Sequence, residues 1–200
     1  MRDLMGMTRE ECAALDDGDD LAALRHRFAL PDGVIYLDGN SLGPLPRHVP
    51  ARVRHIVETE WAEGLVRSWN DAGWIEAPRR AGARIARLIG ANEDEVTVAD
   101  STSVNLFKLL VAAARLHPDR SVLLYARGDF PTDRYIVESA AQVLGLDTVC
   151  AGPDPDALIA ALDERVAVLA LSHVDYRSGT LNAMPRFTAA AHGRGRVRCN

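Results

Sequence analysis

The sequence predicts an α/β fold, a parallel-rich sheet flanked by helices. Short apolar runs alternate with helix-length amphipathic stretches from about residue 95 to residue 192, the pattern of βαβ units with right-handed crossovers. Polar turn residues follow each run, and 48% of the 200 residues are hydrophobic, enough for one domain with a real core.

The elements follow in order. Thr8-Arg9-Glu10-Glu11 has capping-box spacing and starts a short helix, and Asp20–Phe28 continues helical apolar spacing. Val34–Leu37 is a short β-rich run, followed by the turn-dense Asp38-Gly39-Asn40-Ser41-Leu42-Gly43-Pro44. Val49–Gly64 reads as a helix with Val53, Ile56, Val57 and Trp61 on one face and Gly64 at its stop, and a second helix runs from about Ile75 to Ile89, ending at Gly90. The regular part then predicts strands at 95–98, 121–125, 148–150 and 166–171, and helices at 103–116, 132–144, 155–162 and 184–192. After the last helix a buried strand is due, yet Gly193–Asn200 carries three arginines in eight positions. Such a segment is not expected in a core strand, so the sheet is predicted to be incomplete at the C-terminus. The chain divides into an N-terminal arm and loop (1–48), a partial large domain (49–192) and an Arg-rich tail (193–200).

Composition excludes several classes. A net charge of −5 with interspersed signs gives no basic stripe, which argues against a nucleic-acid partner. No apolar run approaches the roughly 18 residues of a membrane span, and the acidic start is unlike a signal peptide, so a cytoplasmic protein without a membrane partner is expected. Three scattered cysteines fit neither a disulfide framework nor a zinc site, and no metal is expected. There is no G-x-G-x-x-G, Walker loop, H-E-x-x-H or C-x-x-C. Lys108 is the only lysine in the chain.

In an open parallel sheet, ligands bind outside the carboxyl ends of the strands. Three polar clusters follow successive predicted strands: Asp100–Ser103, Asp129–Asp133 and Ser172–Tyr176. In the first, backbone N–H groups at a helix N-terminus join the hydroxyls of Ser101, Thr102 and Ser103 in a cradle for an anion such as phosphate. Taken alone, such a turn is more commonly a helix cap. In the second, Phe130 can stack on a flat ring, Pro131 suits a helix start, Thr132 adds a hydroxyl, and Asp133 can pair with a cationic ring nitrogen, although a capped helix start with Phe130 in the core is an equal reading. The third offers Ser172 as a donor. Together they match what pyridoxal phosphate needs.

The motifs Tyr36-Leu37-Asp38-Gly39-Asn40-Ser41-Leu42-Gly43, Arg67-Ser68-Trp69-Asn70, Asp100-Ser101-Thr102-Ser103-Val104-Asn105-Leu106, Phe130-Pro131-Thr132-Asp133 and Ser172-His173-Val174-Asp175-Tyr176-Arg177-Ser178-Gly179 together resemble bacterial kynureninase. The resemblance covers nearly the whole chain to about His192. It implies the large domain of the aspartate-aminotransferase fold (fold type I), pyridoxal 5'-phosphate as cofactor, and hydrolysis of L-kynurenine or 3-hydroxykynurenine to anthranilate or 3-hydroxyanthranilate and L-alanine, a step of tryptophan catabolism. It further implies that Ser101 and Thr102 hold the cofactor phosphate, that Phe130 stacks on the ring, that Asp133 lies near the ring nitrogen edge and that Pro131, Thr132 and Ser172 belong to the cofactor site. Asn40, Ser41 and Trp69 line the substrate side, and the assembly is a homodimer. The alternatives are another fold-type-I enzyme, such as a cysteine desulfurase or an aminotransferase, and a non-catalytic fragment that binds the cofactor or phosphate.

The resemblance is to the N-terminal portion of such enzymes. The lysine that carries the cofactor covalently, with its neighbouring tyrosine, the ring-nitrogen aspartate and a nearby histidine, is expected in a further part of the chain. No catalytic residue is therefore assigned within these 200. Lys108 lies about two helical turns beyond the phosphate loop, roughly 8–10 Å from the anion end, and reads as a surface or snorkelling lysine. The expectation is a truncated or frame-shifted, inactive product whose unfinished sheet edge makes it poorly stable. The purified chain, with no partner polypeptide, is expected to give no measurable cleavage of kynurenine when anthranilate release is followed by fluorescence.

Overall fold

A computed structural model describes residues 6–152, 154–193 and 198–199. Residues 1–5 of the N-terminal arm, and 194–197 and 200 of the tail, lie outside the described residues. The chain forms two compact units, Met1–Thr97 and Val98–Asn200.

In the first unit, α1 (Arg9–Asp17) starts at a reciprocal capping box. The Glu11 N–H donates to the Thr8 hydroxyl at 3.2 Å, and the Thr8 N–H donates to the Glu11 carboxylate at 2.8 Å. The next stretch forms a 3₁₀ turn, Ala22–Arg27, followed by a two-residue antiparallel pair of β1 (Phe28–Ala29) and β2 (Leu45–Pro46). Val34–Leu37, expected as a strand, is not one. A strand needs a partner for its backbone groups, and this segment has none among the described residues; it enters the turn instead, where the Tyr36 hydroxyl donates to the Leu42 carbonyl at 2.5 Å. Its apolar side chains remain outside, with Leu37 88% exposed.

The helix predicted over 49–64 forms and ends at Gly64. It runs through α2 (Val49–His55), a π segment (Ile56–Trp61) and α3 (Ala62–Gly64), and a 3₁₀ turn (Leu65–Arg67) and α4 (Ser68–Asp71) follow. The break is made by Leu65, which takes φ +51°. Gly64 also permits a close approach. A Cβ there would lie 2.0 Å from the Ser68 Oγ, and the buried Ser68 hydroxyl donates to the Glu60 carbonyl at 2.5 Å, satisfying a group in the loosened π turn. Then α5 (Ala77–Ile89) ends, as the sequence indicates, at Gly90 in the left-handed conformation, φ +72°.

The strand expected at 95–98 is likewise unformed; this extended segment has no ladder partner among the described residues. It is held by packing, since a Cβ at Gly82 of α5 would meet the Val96 carbonyl oxygen at 2.0 Å.

The second unit realises the predicted alternation with boundaries within one or two residues: α6 (Thr102–Arg115), β3 (Val122–Ala126), α7 (Pro131–Leu144), β4 (Asp147–Ala151), α8 (Pro155–Ala160), β5 (Val166–Ala170), α9 (Met184–Gly193) and β6 (Arg198–Cys199). The sheet order is β4-β3-β5-β6, all parallel. Arg198–Cys199 pairs with the sheet, opposite Val168–Leu169, as a two-residue edge strand.

Every residue of β3 and β5 is buried. Leu123 and Tyr125 face α6 and α7, packing with Leu110, Val137 and Ala140. Val122 and Leu124 face the opposite layer, with Leu158, Leu162 and Phe187. A register shift between Val122 and Leu123 skips Ala167, so Ala167 and Val168 join one layer before alternation resumes. The Tyr125 hydroxyl donates to Glu138 at 2.5 Å, so this buried hydroxyl is satisfied.

Gly82→Ala is expected to lower stability by about 1–3 kcal/mol, because its Cβ can be admitted only by displacing backbone. Urea denaturation checks it; an unchanged midpoint contradicts the close packing of α5 on Val96.

Candidate functional site

At the start of α6 the backbone turns sharply. Asp100 takes φ +40°, an uncommon value for a residue with a side chain, and Ser101, in extended conformation, caps the helix by accepting from the Val104 N–H at 3.4 Å. Asn105 reaches back and donates to the Ala99 carbonyl at 2.7 Å, fastening the turn. Helix geometry leaves the N–H groups of the first turn beyond Val104 without intrahelical partners. Lys108 departs from its expected placement. Helical side chains lean toward the N-terminus, and its ammonium pairs with the Asp100 carboxylate, so its charge sits at the turn although its backbone is two turns away.

Thr102, Asp133 and Ser172 line one cavity of about 170 Å³ at the carboxyl edge of the sheet, with Asp129 beside them and Leu106, Leu110 and Val137 as the apolar wall. Three loops far apart in sequence therefore meet. Phe130 lies around the corner, on an adjoining cavity of about 220 Å³ that Asp129 and Ser172 also line. Its ring meets the Tyr176 ring edge-on, centroids 5.1 Å apart at 74°, and 47% of the residue is exposed. Ser101 stands at the cap of α6, and Pro131 and Thr132 form the first turn of α7; these three line neither cavity.

Two carboxylates dominate the electrostatics. Burial pushes Asp133 above the ordinary carboxylate range, and no ion pair to it forms among the described residues. Burial also pushes Asp129 up; hydrogen bonds from Ser172 and Ala126 pull against that, and the nearby charge of Asp133 adds to it. A desolvated carboxylate without a cation suits a cationic or hydrogen-donating ring edge, and hydroxyls at a helix N-terminus suit a phosphate. The donor set thus fits a phosphorylated, nitrogen-bearing flat ring.

Asp129 is the functional candidate that the sequence does not single out. It reads as one polar residue among several, and only the fold brings it beside Ser172. The signal available was its place directly before the Phe-Pro-Thr-Asp run.

The remaining expected residues belong to the first unit. Asn40 and Ser41 sit in an exposed turn, where the Ser41 hydroxyl donates to Asp38 at 2.8 Å. Trp69 is half exposed and packs edge-on against Trp74, 6.1 Å between centroids. The Trp74 indole N–H in turn donates to Glu60 at 2.6 Å. The Trp74 hydrogen bond, followed by that of Arg52, holds the Glu60 carboxyl below its usual range. Among the described residues no group of His, Cys, Asp and Glu could hold a metal ion, and no helix is long and apolar enough to cross a membrane.

No family model matches the chain. It is 50% identical over 193 residues to a kynureninase of Burkholderia mallei, covering 94% of this chain and 46% of that protein. It is 47% identical over 190 residues to the kynureninase of Pseudomonas fluorescens, covering 92% and 46%. The chain spans about half the length of the curated relatives it matches. Among solved structures, the cysteine desulfurase CsdA of Escherichia coli superimposes with TM-score 0.71 at 20% identity, over 90% of this chain and 48% of that one. A C-DES mutant with glycine covalently linked to its PLP cofactor gives TM-score 0.71 at 16% identity, over 88% and 47%. At these identities the structural likeness shows the fold: the α/β architecture of fold-type-I proteins.

Because the folded state holds Asp133 protonated to higher pH than the unfolded chain does, the folded state binds the extra proton, and stability falls as pH rises from 3.8 through the raised folded value. Asp133→Asn removes that titration. Its urea midpoint is expected to fall less than the wild type's across this range, and to be no lower at pH 7; parallel profiles contradict the burial of this carboxylate.

Proposed function

We propose that this chain supplies the cofactor-holding part of a kynureninase-type site, in which L-kynurenine or its 3-hydroxy form is hydrolysed to anthranilate or 3-hydroxyanthranilate and L-alanine. The observation that carries the reading is the meeting of Thr102, Asp133 and Ser172 in one cavity, in a chain half of whose residues are identical to those of curated kynureninases over nearly its full length. Pyridoxal 5'-phosphate, when bound, supplies an electron sink for negative charge at the substrate Cα, which cleavage of the Cβ–Cγ bond requires.

The chain's own residues take up the rest. Ser101 and Thr102, with the first-turn N–H groups of α6, receive the phosphate dianion. Asp133 lies near the ring's nitrogen edge, where its desolvation makes a hydrogen-bond donor a favourable neighbour. Phe130 covers a ring face. Pro131 and Thr132 fix the opening turn of α7, so that Phe130 and Asp133 are presented from one rigid start. Ser172 donates from the end of β5. Asn40, Ser41 and Trp69 are assigned to the substrate side. On this reading the partner is a small-molecule substrate, the assembly a homodimer and the compartment the cytoplasm. The desulfurase alternative has only the shared fold in its favour.

Two measurements test the proposal. Pyridoxamine 5'-phosphate, which has no aldehyde to react with lysine, is expected to bind the chain saturably and at least tenfold more tightly than pyridoxamine, with Thr102→Val removing most of that difference in a fluorescence titration. Equal affinity for the two probes overturns the cradle. A chimera carrying this chain in place of the matched segment of the Pseudomonas fluorescens relative is expected to release anthranilate from L-kynurenine and no sulfide from L-cysteine; the reverse preference overturns the substrate class.

A further inference from the structure

The ladder between β3 and β5 ends at the pair Tyr125 and Ala170, and the backbone beyond it must find other partners. Ser172 finds two, both from side chains. Its N–H donates to Asp129 Oδ1 at 2.9 Å, and its carbonyl accepts from Asn182 Nδ2 at 2.7 Å. The other oxygen of Asp129, Oδ2, accepts from the Ala126 N–H at 3.2 Å. One carboxylate thus spans the ends of two neighbouring strands where their own hydrogen bonds have run out, like an extra rung.

The geometry is not that of a helix cap. Asp129 stands just before α7, whose N-cap is Phe130 with no side-chain capping bond and whose first residue is Pro131. An aspartate recruited for capping would turn toward that helix; this one turns away from it, to a residue 43 positions distant. No ion pair to Asp129 forms among the described residues either, so its charge is stabilised by fixed N–H donors. Asn182 closes the arrangement from the far end of the following excursion, its own N–H donating to the His173 carbonyl at 2.8 Å beside the bridge between Val174 and Leu181.

We propose that Asp129 is a positioning residue for the cofactor pocket: by holding the Ser172 and Ala126 N–H groups on one carboxylate, it sets the spacing between Ser172 and the Phe130–Asp133 turn. This rests on the reading of the pocket given above. Asp129 lines both adjoining cavities, so displacing it shifts the two loops relative to each other while leaving the cradle at Thr102 intact. An asparagine in its place keeps shape and volume but turns one acceptor into a donor facing an N–H.

The test begins on the unliganded chain by NMR. In the wild type the Ser172 amide is expected to be protected from hydrogen exchange, and its proton shift to follow a carboxylate titration. In Asp129→Asn the exchange is expected to rise at least tenfold and the pH-dependent shift to vanish. An unprotected, non-titrating Ser172 amide in the wild type overturns the proposal directly. The second arm titrates pyridoxamine 5'-phosphate, which Asp129→Asn is expected to bind at least tenfold more weakly. Asn182→Ala, which releases Ser172 from the other side, is expected to weaken it severalfold and serves if the first variant does not fold. Wild-type affinity in either folded variant overturns the positioning role. Failure of the wild-type chain to bind this probe would instead strike the cofactor reading, with the exchange arm still deciding whether the tie exists.

Discussion

The burial of β3 and β5 on both faces is the constraint on which the second unit depends. With all five residues of each strand enclosed, neither strand can carry an uncompensated polar side chain, since burying one costs several kcal/mol by order of magnitude. Functional groups are thereby confined to the strand ends and the helix starts that follow. The parallel arrangement then brings the ends of β3 and β5 to one edge, where Asp133 and Ser172 meet Thr102, whose helix follows a segment with no ladder partner among the described residues. Two of the three positions are thus a consequence of the sheet.

Electrostatics at this edge are finely divided. A helix N-terminus favours an anion, yet Asp100, one residue before the Ser101 cap, would repel it. The pairing of Lys108 with Asp100 removes most of that conflict. Both groups remain partly exposed, so the pair adds little to stability; its consequence is local, a turn of neutral net charge ahead of the hydroxyls. On the opposite side, Asp129 and Asp133 concentrate negative charge where water is partly excluded. The cavity thus carries both a hydroxyl at a helix start and desolvated carboxylates.

Most of this could be read from residue order, and the exceptions share a cause. Helices were legible because their signals are local: the Thr8–Glu11 box, the amphipathic stretch read at 103–116 and the glycine at 90. The strands at 122–126 and 166–170 were legible because a doubly buried strand is apolar along its length, and the half-exposed 147–151 was legible from its place in the alternation. Val34–Leu37 and Glu95–Val98 have the same local character and form no strand, because pairing is a property of two segments and apolarity of only one. Gly82 marks a close approach, which depends on what lies opposite, and Gly64 combines one with the end of its helix. The site divides similarly: hydroxyls and carboxylates at strand ends follow from topology, whereas the tie from Asp129 to Ser172 exists only after β3 and β5 pair. Lys108 was misplaced by counting backbone rise and omitting the reach of its own side chain.

The comparison of identities separates what the fold explains from what it does not. At 16–20% identity, proteins named as a cysteine desulfurase and as C-DES share this architecture with TM-score 0.71, so the layered sheet and its carboxyl edge are compatible with several chemistries. The 50% identity to kynureninases extends over 193 residues, well beyond what the core alone would require, since cores accept many apolar sequences of the right volume. The turn at Asp38–Gly43 and Trp69, both exposed, fall within that span. Their side chains support the fold weakly, through a few local hydrogen bonds and one ring contact. The shared fold therefore leaves the chemistry open, whereas the identity over 193 residues is to kynureninases alone among the sequences compared above.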